Sequence, residues 1–157
     1  MKTAASITLL SALAIAPMAH AADSTGAIDR IVTAASEHGI THFNELEFED
    51  DEMTEVEGWM DGEWYTEIKM TESGEVIREK REKRIDGVWG MSADQVRNYA
   101  EAAFGEGMTR IEGIEVDEKG HVEVEGDGDS ENGKDGDGEM KVYFRLGDTS
   151  LSNVTRD

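Results

Sequence analysis

The sequence has 157 residues, of which 36 are acidic and 15 are basic, so its formal net charge at neutral pH is −21. This excess of negative charge repels nucleic acid phosphates and anionic lipid headgroups, and we expect neither as a partner. Cysteine is absent, which excludes disulfides and thiolate chemistry.

The first residues are typical of a secretory signal peptide. Lys2 supplies a positive charge, an apolar run covers residues 3–16, and Ala19 and Ala21 are the small residues that a cleavage site needs. The apolar run is shorter than the ~20 residues of a transmembrane helix. We therefore predict a signal peptide over 1–21, cleavage near Ala21, a periplasmic or secreted protein, and no membrane insertion of the mature chain.

The next residues predict one helix followed by four strands. Ser24 is a candidate N-cap, apolar residues recur at helical spacing over 28–35, and Gly39 is a candidate stop. Apolar and acidic residues then alternate with the period of a half-buried strand. The predicted strands are centred on residues 43–48, 56, 64–70 and 76–77, and the last one enters the basic run 78-REKREKR-84.

An internal repeat extends this interpretation to the rest of the chain. The segment 34-AASEHGITHFNELEFED-50 aligns without a gap with 102-AAFGEGMTRIEGIEVDE-118. A capping box of Ser92 and Gln95 predicts the start of a second helix, and Gly107 its end. We therefore expect an α+β fold of two tandem repeats, each one helix packed on a four-stranded antiparallel sheet. The repeats cover 22–85 and 92–157, and Trp89 in the linker 86–91 is expected to pack between them.

The second repeat contains an acidic, glycine-rich insertion, 127–136, where the first has the short turn Asp61-Gly62. The carboxylates of the segment 127–139 alternate as in a calcium loop. However, Asn132 stands where the sharp-turn glycine belongs, and the bidentate glutamate is missing. A solvated hairpin turn is the favoured interpretation. Weak calcium binding by a diffuse anionic patch is the alternative.

The segment from Thr71 to Ile77, TESGEVI, resembles the terminal hairpin of PepSY domains, which are related to the β-lactamase inhibitor protein fold. The second repeat departs from this pattern at 148-DTSL-151. The resemblance implies an exported module that inhibits or assists a peptidase, or modulates another envelope protein. It also implies that the uncovered face of the sheet binds the partner.

The residues themselves favour binding over catalysis. Motifs for nucleophilic, zinc-dependent or phosphate chemistry are missing, and His38 and His42 are expected to diverge at the helix end rather than hold a metal. We therefore predict no enzyme activity, no cofactor and no metal site. Aromatic side chains among glutamates, on strand positions opposite the core, predict a surface for a cationic or mixed polar protein or peptide. The predicted binding residues are Trp59, Tyr65, Tyr143, Glu57 and Glu125. The alternatives are that these aromatics pack across strands, and that the chain is a calcium-binding or salt-adapted acidic periplasmic protein.

Overall fold

The computed structural model describes residues 22–49, 52–85, 87–128 and 138–157. The predicted signal peptide (1–21), Asp86 of the linker and residues 129–137 of the acidic segment lie outside this part of the chain. The elements follow one another in the order α1 (Thr25–His38), β1 (Ile40–Glu49), β2 (Met53–Met60), β3 (Trp64–Thr71), β4 (Val76–Lys83), α2 (Ala93–Gly105), β5 (Met108–Val116), β6 (His121–Gly128), β7 (Gly138–Arg145) and β8 (Asp148–Arg156).

All eight strands belong to one antiparallel sheet with the order β4-β3-β2-β1-β5-β6-β7-β8. The expectation of two repeats, each with its own four-stranded sheet, is therefore wrong. The physical reason is the pairing of β1 with β5, in which Leu46 lies opposite Ile114 and Glu47 opposite Gly113. Separate sheets would leave the backbone groups of both strands unpaired at this seam, and joining them satisfies those groups.

The two helices pack against each other and against the same side of the sheet. Arg97 of α2 joins them, because its guanidinium donates to Asp29 (2.7 Å) and to Thr33 (3.0 Å) of α1. The buried apolar residues of both helices and of the inward strand positions form one core cluster. Phe48 and Val116, at equivalent positions of the sequence repeat, are both buried in it. The sheet therefore has one covered face and one open face.

Local signals place the ends of the helices. Ser24 caps α1, and Gly39 ends it with φ of 119°, as predicted. The capping box of Ser92 and Gln95 is present at α2. This helix ends at Gly105, two residues before the predicted stop at Gly107. Neither helix of the described chain is long and apolar enough to span a bilayer.

The linker between the two halves runs back along the sheet to α2. Met91 and Phe43 exchange backbone hydrogen bonds of 2.7 and 2.8 Å. Gly90 has φ of 135°, and a Cβ there would meet the carbonyl of Phe43 at 2.7 Å, so this close crossing requires glycine. Trp89 is partly buried against the common core. The linker thus holds the start of α2 against β1, in the middle of the sheet.

Candidate functional site

A row of five glutamates crosses the middle of the open face. Antiparallel register places them directly opposite one another on β3, β2, β1, β5 and β6. From one side to the other they are Glu67, Glu57, Glu45, Glu115 and Glu123, and we call them the glutamate row. Neighbouring strands lie about 4.8 Å apart, so the row extends over roughly 20 Å. Like charges directly opposite each other destabilise a sheet. The row is therefore a feature that folding alone does not favour.

Cationic side chains neutralise the two ends of the row. Lys80 and Arg78 donate to Glu67 at 2.7 and 3.0 Å. Lys141 donates to Glu123 at 2.8 Å. Among the described residues, no ion pair reaches Glu45 or Glu115 in the centre. The uncompensated negative charge is thus concentrated at the seam between β1 and β5.

The protonation equilibria reflect this distribution of charge. Partial burial, together with the carboxylates of Glu57 and Glu115, raises the pKa of Glu45 to about 7. Burial and the charge of Glu123 also raise the pKa of Glu115. In contrast, the hydrogen bond from Lys80 lowers the pKa of Glu67. Glu45 is therefore partly protonated near neutral pH, and a cation beside it would favour its charged form.

A depression of about 220 Å³ lies beside the centre of the row. It forms where Gly113 of β5, which has no side chain, stands in register between Glu47 and Glu125. A Cβ at Gly113 would lie 3.1 Å from the Oε1 atom of Glu125. The walls are formed mostly by carboxylates and by a single cation, Lys141. The shape and charge of this depression suit an ammonium or guanidinium group.

Lys141 is bound on both sides. Its Nζ atom donates to Glu123 and to Glu125, both at 2.8 Å. These two hydrogen bonds raise the pKa of Lys141 above its usual range. Glu125, a predicted binding residue, thus lies in the wall of the depression but is already paired with a lysine.

Trp59 and Tyr65, two predicted binding residues, form a cross-strand pair on the open face. They lie opposite each other in register, with their ring centroids 5.6 Å apart and their planes nearly perpendicular. Trp59 has an exposed fraction of 0% and Tyr65 of 9%. Trp59 therefore cannot contact a partner. Trp59 and Tyr65 pack against each other across strands, as in the alternative interpretation of the sequence.

Polar neighbours hold this aromatic pair in place. The hydroxyl of Tyr65 donates to Glu57 at 2.7 Å, and the guanidinium of Arg84 lies 3.7 Å from the centroid of the Tyr65 ring. Burial and the bond to Glu57 raise the pKa of Tyr65. Glu57, also a predicted binding residue, is thus oriented by the hydroxyl of Tyr65.

Tyr143, the remaining predicted binding residue, is partly exposed on β7. It lies directly opposite Glu123, at the far end of the glutamate row. With Glu115, Asp117 and His121 it lines a second open depression of about 380 Å³. Of the three predicted aromatic residues, Tyr143 is the one placed to contact a partner.

The strongest candidate for a metal site in the described chain is formed by Glu55, Glu57 and Glu67. One carboxylate oxygen from each lies within 4.8 Å of the others. However, Arg78 already contacts Glu67 at 3.0 Å and approaches Glu55 to 3.6 Å. The protein's own cations thus occupy much of this cluster.

The three histidines of the described chain have separate partners. His38 forms a 3.1 Å contact with Glu79, and His42 a 3.1 Å contact with Thr41. His121 lies 2.8 Å from Asp117. Of the proposed calcium segment 127–139, residues 129–137 lie outside the described chain. Asp127, which is described, is paired with Arg110 at 2.8 Å.

The two central residues of the row, Glu45 and Glu115, are not among the predicted binding residues. The alternation of glutamates with core residues places both on the open face. Their proximity depends on the pairing of β1 with β5, which the sequence pattern does not indicate.

No protein-family model, no curated protein and no solved structure matches the chain. The resemblance to PepSY domains, which rests on residues 71–77, therefore stays a prediction.

Proposed function

We propose that the protein is a non-catalytic binding module that holds a basic segment of another protein against the open face of its sheet. The observation that carries this proposal is the glutamate row, whose central residues Glu45 and Glu115 lack ion pairs within the described chain. A sheet that only had to be stable would place neutral or alternating charges there.

Partial burial and the neighbouring carboxylates raise the pKa of Glu45 to about 7, so its charged form is unfavourable in the free protein. Neighbouring carboxylates repel one another, and a lysine or arginine side chain placed between them removes that repulsion. Because the row is roughly 20 Å long, several basic side chains of one segment can bind at once. The face thus suits an extended basic segment better than a single ion.

Two features of the sequence indicate where the protein would act and on what kind of partner. The signal peptide pattern at 1–21 favours an exported protein, and the resemblance to PepSY domains favours a modulator or inhibitor of a peptidase or of another envelope protein. Covering a basic surface on such a partner is an activity that an acidic sheet face can perform without catalytic residues.

The test compares two variants that each replace three glutamates by glutamine. The first neutralises the three central residues of the row: Glu45→Gln, Glu57→Gln and Glu115→Gln. The control neutralises three exposed glutamates on the helices and on the β5–β6 turn: Glu37→Gln, Glu101→Gln and Glu118→Gln. Binding of a synthetic peptide that alternates lysine and serine is measured by calorimetry at physiological ionic strength.

We expect the row variant to bind roughly tenfold more weakly than the control, since three partly exposed ion pairs contribute about 0.5 kcal/mol each. Equal affinities of the two variants would show that peptide binding depends only on the net charge of the protein, and would reject the row as a binding site.

Calcium binding is a second candidate function, favoured by the proximity of Glu55, Glu57 and Glu67. Calorimetric titration with calcium at physiological ionic strength decides it. Saturable heat that disappears in the Glu55→Gln variant supports this candidate, and the absence of saturable heat eliminates it.

A further inference from the structure

The open depression beside Tyr143 lies at the far end of the glutamate row, where β5, β6 and β7 pair in regular register. Glu115, Glu123 and Tyr143 stand opposite one another on these three strands. Two residues further along, Arg145 of β7 stands opposite His121 of β6. All five residues line the depression, whose volume is about 380 Å³. It therefore has glutamates at one end and a cationic side chain at the other.

Arg145 is the one arginine of the described chain whose guanidinium has no hydrogen bond or ion pair there. The guanidinium groups of the others bind carboxylates or backbone carbonyls: Arg30, Arg78, Arg81, Arg84, Arg97, Arg110 and Arg156. The backbone of Arg145 is held in place, because its carbonyl accepts the hydroxyl of Tyr99 at 2.9 Å. The guanidinium is thus free to bind a carboxylate ligand.

Asp117 also lines the depression, but it is bound by His121 rather than by Arg145. Its carboxylate accepts the backbone N–H and the ring Nδ1–H of His121, both at 2.8 Å. These bonds lower the pKa of Asp117 to about 2. Because a carboxylate accepts and does not donate, Nδ1 of His121 carries a proton, and Nε2 is left for a ligand. Arg145, and His121 when its ring is protonated, give this end of the depression a positive charge.

The opposite end of the depression is negative. Glu115 lacks an ion pair within the described chain, and burial and the charge of Glu123 raise its pKa. Two residues along a strand separate the two ends, which corresponds to about 7 Å. The ring of Tyr143 and the apolar residues Val122 and Phe144 complete this part of the lining. The depression therefore suits a ligand with an anion and a cation about 7 Å apart, joined by an apolar stem.

A lysine residue at the carboxyl terminus of a peptide has this arrangement of charges. Its four methylene groups place the ε-ammonium roughly 7 Å from the α-carboxylate. In contrast, an amino acid with a short neutral side chain carries both charges on one carbon, and a lysine inside a chain has no carboxylate. Each of these ligands would leave either Arg145 or Glu115 without a partner.

We propose that the depression beside Tyr143 binds the carboxy-terminal lysine of a protein or peptide partner, with its α-carboxylate on Arg145 and its ε-ammonium on Glu115. This inference rests on the proposed function, since it takes the basic segment described above and specifies where that segment ends. The depression adjoins the far end of the glutamate row. The preceding residues of the segment can therefore extend over the row.

The first experiment uses a lysine-serine peptide that ends in lysine, prepared in two forms. One form has a free terminal carboxylate and the other a terminal amide, and calorimetry at physiological ionic strength measures the affinity of each. Amidation removes a negative charge, so a face that attracts only net charge would bind the amide more tightly. The proposed site requires the carboxylate, and we expect the amide to bind roughly tenfold more weakly.

Two variants locate the group that binds the carboxylate. Arg145→Gln should abolish the preference for the free carboxylate. Lys119→Gln is the matched control, because it removes the same charge from an exposed lysine outside the depression, and it should keep the roughly tenfold preference. Far-ultraviolet circular dichroism and urea unfolding verify that both variants are folded.

The outcomes separate this inference from the proposed function. If neither form of the peptide binds the wild-type protein, both are overturned. If both forms bind and the amide binds as tightly as the free carboxylate or more tightly, the terminal-lysine site alone is overturned. A carboxylate preference that persists in Arg145→Gln places the chain end elsewhere and overturns it equally. Free lysine should bind far more weakly than the peptide, and equal affinity would overturn the assignment to a chain end.

Discussion

Replacing Glu45 by glutamine should stabilise the protein at alkaline pH. In the folded chain the pKa of Glu45 is about 7, compared with an ordinary value of 4.5, because of partial burial and the facing carboxylates of Glu57 and Glu115. The charged form is therefore unfavourable in the folded state. Glutamine has nearly the same shape and carries no charge, so the substitution removes this cost.

The direction of the pH dependence follows from proton binding. Below pH 4.5, Glu45 is protonated in both the folded and the unfolded chain, and its contribution to stability does not change with pH. Between pH 4.5 and about 7 the folded state binds more protons than the unfolded state, so stability falls as the pH rises. Above pH 7 the loss is complete. The effect of Glu45→Gln should therefore increase over this interval.

The full shift of the pKa, from 4.5 to about 7, corresponds to roughly 3 kcal/mol. Because Glu45 is only half-buried, solvent screens the repulsion, and about 1–2 kcal/mol should remain. Glu45→Gln should raise the free energy of unfolding by that amount at pH 8 and by almost nothing at pH 4.5.

Urea unfolding at both pH values measures the effect, and the exposed helical variant Glu37→Gln is the control. A gain that is equal at both pH values would indicate a cause other than charge. A loss of stability at pH 8 would refute the argument that the row repels itself.

Three further substitutions test the packing of the sheet and α2 by urea unfolding. Ser92→Ala removes the hydroxyl that caps α2 by accepting the backbone N–H of Gln95, and should cost about 1 kcal/mol. Tyr99→Phe removes a buried hydroxyl that bonds two backbone groups of the β7–β8 turn at 2.8 and 2.9 Å, and should cost about 1–2 kcal/mol. Gly126→Ala places a Cβ against the backbone of β5 and should cost about 2 kcal/mol, whereas Gly105→Ala, which has nothing within 4 Å, should cost nothing. Unchanged unfolding midpoints in the first three variants would show that these contacts are not made.

Features that depend on local chemistry could be predicted from the sequence. Ser24 and Ser92 begin the helices because their side chains accept backbone N–H groups. Asp61 and Gly62, which the sequence indicates as a short turn, lie in the β2–β3 connection, and both have positive φ. Alternation also separates the open face from the core, since it depends only on the period of a strand.

Features that depend on pairing between residues far apart in the sequence could not be predicted. The β1–β5 seam joins residues about 70 positions apart and places Glu45 opposite Glu115, a pairing that charge alone disfavours. The same limit applies to Trp59. Its strand position indicates the open face, but its burial depends on Tyr65, whose ring is in turn covered by Arg84. The sequence therefore indicates an acidic face but not where its uncompensated charge lies.

The proposed function requires that a basic partner binds across the seam between β1 and β5. Amide chemical shifts, followed by nuclear magnetic resonance during titration with the lysine-serine peptide, test it directly. The largest changes should fall on Glu45, Glu115 and Gly113, and the amides of α1 and α2 should change little. Changes concentrated on the helices, or spread evenly over the acidic residues, would contradict the claim.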